Sequence, residues 1–399
     1  MTARRRALLL LGLALLLGMT TWFSATAVIP QLRAEWSLSS TAAAWLTIAV
    51  QLGFVAGAIV SATLNLADVF PPRRVFAVAA IGAASVNALL AAAGGPATGI
   101  PLRFATGFFL AGVYPPALKV IATWYRERRG TALGVLIAAV TLGSALPHLV
   151  NGLGGLPWRW VVGATSLLTV AGALVGWRLV SDGPYPFPLA TFDPRQAGRA
   201  FRNRGVRLAS LGYFGHMWEL YAMWAWFLVF LTDSLAAAGR PSATFAAVGT
   251  FAVVGSGAIG CWLGGVLGDR WGRSRTTSAA MAISGGCALT IGLLFGRSPW
   301  LVLALGIVWG ITVVADSAQF STAVTETADP TYVATAVTIQ LAVGFTLTVA
   351  TIWLVPIVRD AGSWWWAMAM LAIGPALGIW AMQRLQRSPE AAKIAGGRG

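Results

Sequence analysis

The sequence predicts an all-α membrane protein in which twelve transmembrane helices form two pseudo-symmetric bundles of six. Its 399 residues are 57% hydrophobic and 10% charged, with a mean hydropathy of +0.73. This composition leaves too little polar surface to cover a water-soluble globule. Twelve apolar runs are each long enough, at about 20 residues, to cross the hydrocarbon core of a bilayer. A polar segment separates the first six runs from the second six.

The apolar runs and the polar segment define the expected domain organisation. The first six runs lie near residues 7–29, 41–66, 75–95, 99–123, 131–153 and 158–180, and the second six near 208–231, 243–266, 277–296, 299–322, 332–356 and 364–383. Residues 181–207 contain the sequence DGPYPFP and then five arginines. We therefore expect an N-terminal bundle at 1–180, a cytoplasmic linker at 181–207 and a C-terminal bundle with a cytoplasmic tail at 208–399.

The net charge of +15 comes from basic residues on one side of the expected membrane. Most of the 28 lysines and arginines fall in alternate loops and in the two tails, and those outside this set are Arg33, Arg159, Arg240, Arg297 and Arg359, with Arg103 and Lys119 inside spans. Because basic loops stay in the cytoplasm, this alternation predicts a multi-pass protein of the cell inner membrane with both termini cytoplasmic. It also argues against nucleic acid as the partner of the basic residues. An alternative for the first run is a cleaved signal peptide ending near residues 24–27, but its removal would break the alternation.

Residues 265–275 read GVLGDRWGRSR, which combines three glycines, one acid and three arginines. The stretch resembles the signature loop of the major facilitator superfamily, Gly-x-Leu-x-Asp-Arg-x-Gly-Arg-x-Arg. The matching residues are Gly265, Leu267, Asp269, Arg270, Gly272, Arg273 and Arg275. A degenerate copy follows the second run of the first half, where LNLADVFPPRR at 64–74 keeps Leu66, Asp68, Arg73 and Arg74. The repetition indicates that the two halves arose by duplication.

A second stretch carries the same resemblance. Arg103 and Gly107 are similar to the arginine motif of the fourth helix in this superfamily, and residues 124–134 are similar to its basic loop into the fifth helix. The resemblance implies a secondary transporter whose two bundles rock around a midplane site. It also implies that Asp68, Asp269 and the neighbouring arginines form a cytoplasmic gate that pairs in one state and releases in the other.

Charged and polar side chains within the spans are the candidate site residues, because a charge at a helix centre costs about 2.5–3.5 kcal/mol on insertion scales. In the seventh run, Tyr213, His216 and Glu219 recur at steps of three and so share one helical stripe. His216 could titrate near neutral pH, which makes it and Glu219 the best candidate pair for proton coupling. The alternative is a hydrogen-bonded structural pair inside the bundle.

Four further polar side chains, apart from Lys119, have two interpretations each. Asp316 and Gln319 lie one turn apart and either line a cavity or form hydrogen bonds between helices. Arg103 either holds an anionic substrate or extends to the outer interface. His148 is either a proton carrier or an interior histidine with satisfied hydrogen bonds, and Lys119 lies close enough to the cytoplasmic end of its helix to extend into the interface.

These residues predict a proton-coupled transporter that works by alternating access. One mechanism moves a small organic or inorganic anion held by Arg103, while Glu219, His216 or Asp316 carries the proton. The other is a proton-coupled antiporter that expels a drug or metabolite. A third possibility, a polytopic enzyme or scaffold, has little support because the sequence contains no HExxH, no paired Cys motif and no phosphate-binding GxxxxGK[ST]. We expect no cofactor and no metal; the partners are a small-molecule substrate, protons and the lipid bilayer, and the protein acts as a monomer.

Overall fold

The computed structural model describes residues 2–125, 129–153, 156–186 and 192–399. This part of the chain is helical and contains no strand. Eleven of its helices are long and apolar enough to cross a membrane. A twelfth crossing is made by the first helix and the turns that follow it, so that the predicted architecture is confirmed.

We number the crossings α1 to α12. Their bounds are α1 Ala3–Gly18, α2 Ser40–Thr63, α3 Pro72–Ala92, α4 Pro96–Ala122, α5 Arg129–Gly152, α6 Trp158–Arg178, α7 Arg204–Ala237, α8 Ala243–Trp271, α9 Arg273–Leu294, α10 Pro299–Thr327, α11 Val333–Ala361 and α12 Trp364–Gln386. Twelve crossings place both termini on the same side, which we call the terminal face. The expected basic-loop residues Arg126 and Arg128 lie outside the described residues.

The first crossing is shorter than the sequence predicts because its α-helix ends at Gly18. The chain then continues through turns and a 3-10 segment at Thr26–Val28 before a short helix, Ile29–Trp36. The turns are rich in Ser and Thr, whose hydroxyls compete for backbone groups. Thr20 Oγ1, for example, donates to the carbonyl of Leu17 at 2.9 Å, and Ser24 Oγ donates to that of Thr21 at 3.1 Å. The interruption leaves carbonyls that α-helical hydrogen bonds do not use and that other donors can reach.

Helices of the two halves pack in corresponding pairs. In the first half α2 packs on α4 and α3 on α6, and in the second α8 packs on α10 and α9 on α12. Glycine allows the closest of these approaches: a Cβ on Gly53 of α2 would lie 1.9 Å from the Phe104 carbonyl oxygen of α4. A Cβ on Gly260 of α8 would lie 1.8 Å from the Ile311 carbonyl oxygen of α10. The same backbone contact therefore recurs in both halves.

The two halves meet along two helix pairs, α5 with α8 and α2 with α11. The α5–α8 contact extends from Gly134, where a Cβ would lie 3.2 Å from the Cys261 carbonyl oxygen, to Gly152, where it would lie 2.7 Å from Val248. Near the face opposite the termini, Arg359 of α11 donates to Ser40 Oγ of α2 at 2.8 Å. The space between these two pairs holds the cavity described next.

Candidate functional site

A central cavity of about 90 Å³ lies between the two halves near the middle of the bundle. Side chains from α1, α2, α4, α5, α7, α10 and α11 line it, among them Met19, Trp22, Phe54, Tyr114, Thr141, Tyr213, His216, Tyr221, Trp224, Ser317 and Phe345. A second cavity of about 200 Å³, which we call the vestibule, shares Phe54, Tyr114 and Phe345 with it. The vestibule extends along α2, α4 and α11 to Asn65 and Asp68 in the loop after α2. The vestibule therefore lies between the central cavity and the terminal face.

Aromatic rings from both halves pack against one another at the central cavity. Trp22 and Phe54 of the first half pack on Phe345 of the second, with ring centroids 5.8 and 4.6 Å apart. Tyr221 packs on Phe345 at 5.2 Å and on Trp224 at 5.6 Å. We call these five side chains the aromatic plug. Because it joins the two halves, a passage to the opposite face requires that its rings separate.

A polar group of three side chains lies on the wall of the central cavity. His216 Nε2 is 2.7 Å from Ser317 Oγ, and His216 Nδ1 is 2.9 Å from Asp316 Oδ1. The second contact is close but lacks the alignment of a hydrogen bond. Asp316 occupies the break between the two α-helical segments of α10, Pro299–Ala315 and Ser317–Thr327. The three residues form a chain from the cavity surface to a carboxylate that is 1% exposed.

Glu219 points away from the cavity, into the second half. Its carboxylate accepts hydrogen bonds from Trp309 Nε1 at 2.7 Å and from Ser284 Oγ at 2.9 Å. The expected His216–Glu219 pair is therefore not formed: His216 contacts Asp316 and Ser317 instead. Tyr213 does lie on the cavity wall, with its ring 6.0 Å from that of His216.

Arg103 is fully buried inside the first half and does not line the cavity. Its guanidinium donates to the Thr21 carbonyl at 3.0 Å, to Asn87 Oδ1 at 2.9 Å and to the Trp22 carbonyl. These acceptors include the carbonyls that the interruption of α1 leaves free. The alternative in which Arg103 extends to the interface is not what the structure has, and its donors are occupied by protein groups rather than available to an anion. Since Trp22 lines the cavity, Arg103 instead fixes one wall of it.

The degenerate motif of the first half forms ion pairs within that half. Lys119 of α4 pairs with Asp68 on the wall of the vestibule. Arg73 donates to both oxygens of Asp182, at 2.9 and 3.0 Å, beyond the end of α6. Arg74 is exposed and has no polar partner among the described residues. Lys119 is therefore held by an acid and does not extend freely to the interface.

The motif of the second half also makes its contacts within one half. Arg273 donates to both oxygens of Glu326, at 2.8 and 2.7 Å, and to Gln319 Oε1 at 2.7 Å. Gln319 in turn donates to the Gly264 carbonyl at 3.1 Å, so it belongs to this cluster and not to a cavity stripe with Asp316. The Asp269 carboxylate lies 3.8 Å from Arg273 Nη1, which is a loose ion pair. The backbone carbonyl of Asp269 accepts a hydrogen bond from Arg398 of the tail.

The remaining motif residues have simple positions. Gly272 separates α8 from α9 with a φ of +90°, a conformation that favours glycine. Gly265 is buried, whereas Arg270 and Arg275 are exposed.

His148 of α5 is 1% exposed, and its Nδ1 has no hydrogen-bond partner among the described residues. It does not line the central cavity.

Sequence reasoning missed the aromatic plug, although α7 carries a usable signal. Tyr213, Met217, Tyr221 and Trp224 recur at three- and four-residue steps along one face of that helix and all reach the cavity. Within the described residues, no group of three or more His, Cys, Asp or Glu side chains could hold a metal ion. The site is thus an aromatic cavity with one titratable cluster.

Comparisons with known proteins agree with this architecture. The family model of the Major Facilitator Superfamily matches residues 10–345. Puromycin resistance protein pur8 of Streptomyces alboniger is 33% identical over 156 residues, which cover 38% of this chain and 30% of that protein. The probable sulfoacetate transporter SauU of Cupriavidus necator is 28% identical over 232 residues, 51% of each chain. The matches thus span about a third to a half of these curated relatives.

Two solved structures share the fold at low sequence identity. A bacterial homologue of the human lysosomal transporter Spinster, inward-facing and unoccupied, has a TM-score of 0.72 at 17% identity over 97% of this chain and 99% of its own. The human organic anion transporter MFSD10 has a TM-score of 0.66 at 16% identity over 96% and 100%. The motif, the paired six-helix halves and the family match over most of the sequence show that this chain belongs to the Major Facilitator Superfamily, as a membrane transporter and not an enzyme.

Proposed function

We propose that this protein is a proton-coupled transporter of a small amphipathic organic solute, uncharged or cationic, and that His216 and Asp316 carry the proton. The observation that carries the proposal is the central cavity: aromatic walls surround one buried His–Asp contact. Among the described residues that line this cavity, His216 is the only basic one. An aromatic cavity with a carboxylate attracts apolar rings and cations.

Unpaired hydrogen-bond donors support a solute that also carries polar atoms. The indole Nε1 atoms of Trp22 and Trp224 are buried without a partner among the described residues. Unsatisfied buried donors are costly unless a ligand or water completes them. A solute with an acceptor group beside an aromatic ring would meet both requirements of the cavity.

Proton coupling would use the chain from Ser317 through His216 to Asp316. A proton that enters from the cavity would reach Asp316 through His216, which lines the cavity and contacts the carboxylate. When Asp316 is ionised, it stabilises a protonated His216 or a bound cation; when it is protonated, it releases either one. This alternation supports an antiporter that exchanges protons for solute.

Transport of an anion is the second candidate. Its support is the similarity to SauU, a probable sulfoacetate transporter, and the ability of a protonated His216, together with the two indoles, to bind an acidic group. An anion would lack the arginine partner that the sequence suggested, because backbone carbonyls and Asn87 already accept the hydrogen bonds of Arg103. We therefore place it after the amphipathic solute.

We further propose that the terminal face is cytoplasmic, that the membrane is the cell inner membrane and that the protein acts as a monomer. The basic residues of the tails and alternate loops support this orientation. The vestibule then opens to the cytoplasm, and the aromatic plug closes the outer side.

Flux measurements in proteoliposomes test the proposed substrate class. With an imposed pH gradient, we expect movement of puromycin against its own gradient and none of sulfoacetate, each compared with protein-free vesicles. Counterflow of the same compounds without a pH gradient measures binding and exchange alone. Gradient-driven movement of sulfoacetate but not puromycin would replace the proposal by the anion candidate, and movement that ignores the pH gradient would contradict proton coupling.

Asp68 is the best candidate for a gate residue, because it faces α11 across the vestibule. The vestibule wall opposite Asp68 and Lys119 is formed by Ala334 and Thr338 in the first turns of α11. A helix N-terminus carries a partial positive charge that attracts carboxylates. We propose that Asp68 leaves Lys119 and meets the start of α11 when the terminal face closes.

Asp68→Asn should lower the maximal transport rate about two- to five-fold with little change in the half-saturating substrate concentration, since a charge at a helix end contributes about 0.3–1 kcal/mol. Lys119→Met should retain most of the rate because it frees Asp68 for α11. Initial rates over a substrate series in proteoliposomes measure both quantities. Equal losses in the two variants would mean that the Asp68–Lys119 pair, and not the gate contact, is what transport needs.

A further inference from the structure

A groove on the outer surface of the first half lies between α2, α3 and α4. We call it the lateral groove. Its volume is about 440 Å³, and its lining includes Gly57, Val60, Phe70, Arg74, Val78 and Phe109. Almost all of the surface is apolar, and Phe70 and Val78 are 54% and 69% exposed. The groove is separate from the central cavity and opens sideways from the bundle.

The groove lies in the part of the membrane next to the terminal face. It is lined by the last turns of α2, the loop that follows, the first turns of α3 and the last part of α4. Along α3 its lining extends from Arg74 to Ala79, a rise of about 8 Å at 1.5 Å per residue. A lipid chain that enters from the headgroup region of this leaflet would follow that direction.

Arg74 is the charged group of the groove. Its neighbour Arg73 is used by the fold, through Asp182 and the Val180 carbonyl. Arg74 has no hydrogen bond or ion pair among the described residues, and its side chain stands where the groove meets the terminal face. An anionic lipid has a phosphate headgroup and acyl chains. Guanidinium groups bind phosphates and apolar grooves bind acyl chains, so Arg74 beside the apolar groove matches both parts of the lipid.

We propose that the lateral groove binds one acyl chain of an anionic phospholipid from the leaflet at the terminal face, with the lipid phosphate on Arg74. The lipid would pack against α2, α3 and α4, of which α2 and α4 also line the vestibule. Ser61 contributes to both the groove and the vestibule, so only α2 and its neighbour separate the lipid from the solute path. The proposal does not depend on what the protein transports.

Lipid titration of the purified full chain, followed by native mass spectrometry, tests this site. Phosphatidylglycerol and phosphatidylcholine with the same chains are compared on wild type, Arg74→Gln and Arg275→Gln. Arg275 is the matched control because it has the same place in the second motif copy and is also exposed. We expect Arg74→Gln to weaken phosphatidylglycerol binding about five-fold and to leave phosphatidylcholine unchanged, as about 1 kcal/mol per basic residue implies. Arg275→Gln should change neither.

A second variant and a competitor separate the chain from the headgroup. Val60→Trp fills the groove from a position 39% exposed and should weaken both lipids. Glycerol 3-phosphate, which lacks chains, should not displace phosphatidylglycerol at equal concentration. Equal effects of the two arginine variants, equal affinity for the two lipids, or full displacement by glycerol 3-phosphate would each overturn the proposal. Arg74 is exposed, so its replacement leaves the fold intact even if Val60→Trp does not.

Discussion

Asp316→Asn should abolish accumulation driven by a pH gradient and leave exchange at equal pH. The amide can still lie beside His216, but it cannot take up or release a proton. Without a protonatable group at this position, gradient-driven accumulation should fall to the level of protein-free vesicles. Proteoliposomes loaded at one pH and diluted into another give accumulation, and counterflow at one pH gives exchange.

Glu219→Gln is the matched control for this prediction. A glutamine at this position can accept from Trp309 and donate to Ser284, so both hydrogen bonds of Glu219 can be kept. We expect it to retain gradient-driven accumulation. If Glu219→Gln abolishes accumulation while Asp316→Asn does not, Glu219 carries the proton and the cavity pair has a structural role.

Arg103→Met should prevent most of the protein from folding. The replacement removes a buried cation and leaves the Trp22 carbonyl without its donor, while the Thr21 carbonyl and Asn87 Oδ1 keep only donors from Ser24. Each unsatisfied buried group costs about 1–3 kcal/mol, and a domain is stable by only about 5–15 kcal/mol. Size-exclusion chromatography of a fluorescent fusion measures the folded fraction, and thermal unfolding in detergent measures the remaining stability.

Arg103→Lys and Arg240→Met complete this test. Lysine keeps the charge and part of the donor set, so the first variant should fold in intermediate yield, with weakened substrate binding because Trp22 is less firmly placed. Arg240 is exposed near the opposite face, and its replacement should have no effect on yield. A wild-type yield of Arg103→Met would show that the bonds to the interrupted α1 contribute little.

Much of the fold could be predicted because lipid imposes a simple rule: every spanning segment must be long, apolar and helical. The predicted runs correspond to the observed crossings, with α1 as the informative exception. Its apolar composition continues beyond Gly18, but Ser and Thr hydroxyls and the donors of Arg103 provide partners for backbone groups outside an α-helix. Hydropathy does not register such hydrogen bonds.

The site was harder to predict because a helical stripe shows which residues share a face, but not what the face meets. His216 and Glu219 are three residues apart, yet one reaches the cavity and the other α9 and α10. Asp316 and Gln319 diverge in the same way, since α10 is interrupted at Asp316 and Gln319 is bound by Arg273. Partner choice depends on packing between helices that are distant in sequence.

The α5–α8 contact has a consequence for how the molecule moves. Between Gly134 and Gly152 it covers about 27 Å at 1.5 Å per residue, nearly the full thickness of the hydrocarbon core. The two helices cannot separate at both ends without the loss of the whole contact. The halves are therefore expected to stay in contact along α5 and α8, and the larger separation that opens one face at a time is expected on the α2–α11 side. The vestibule lies on that side, so solute is expected to enter the protein away from its central axis.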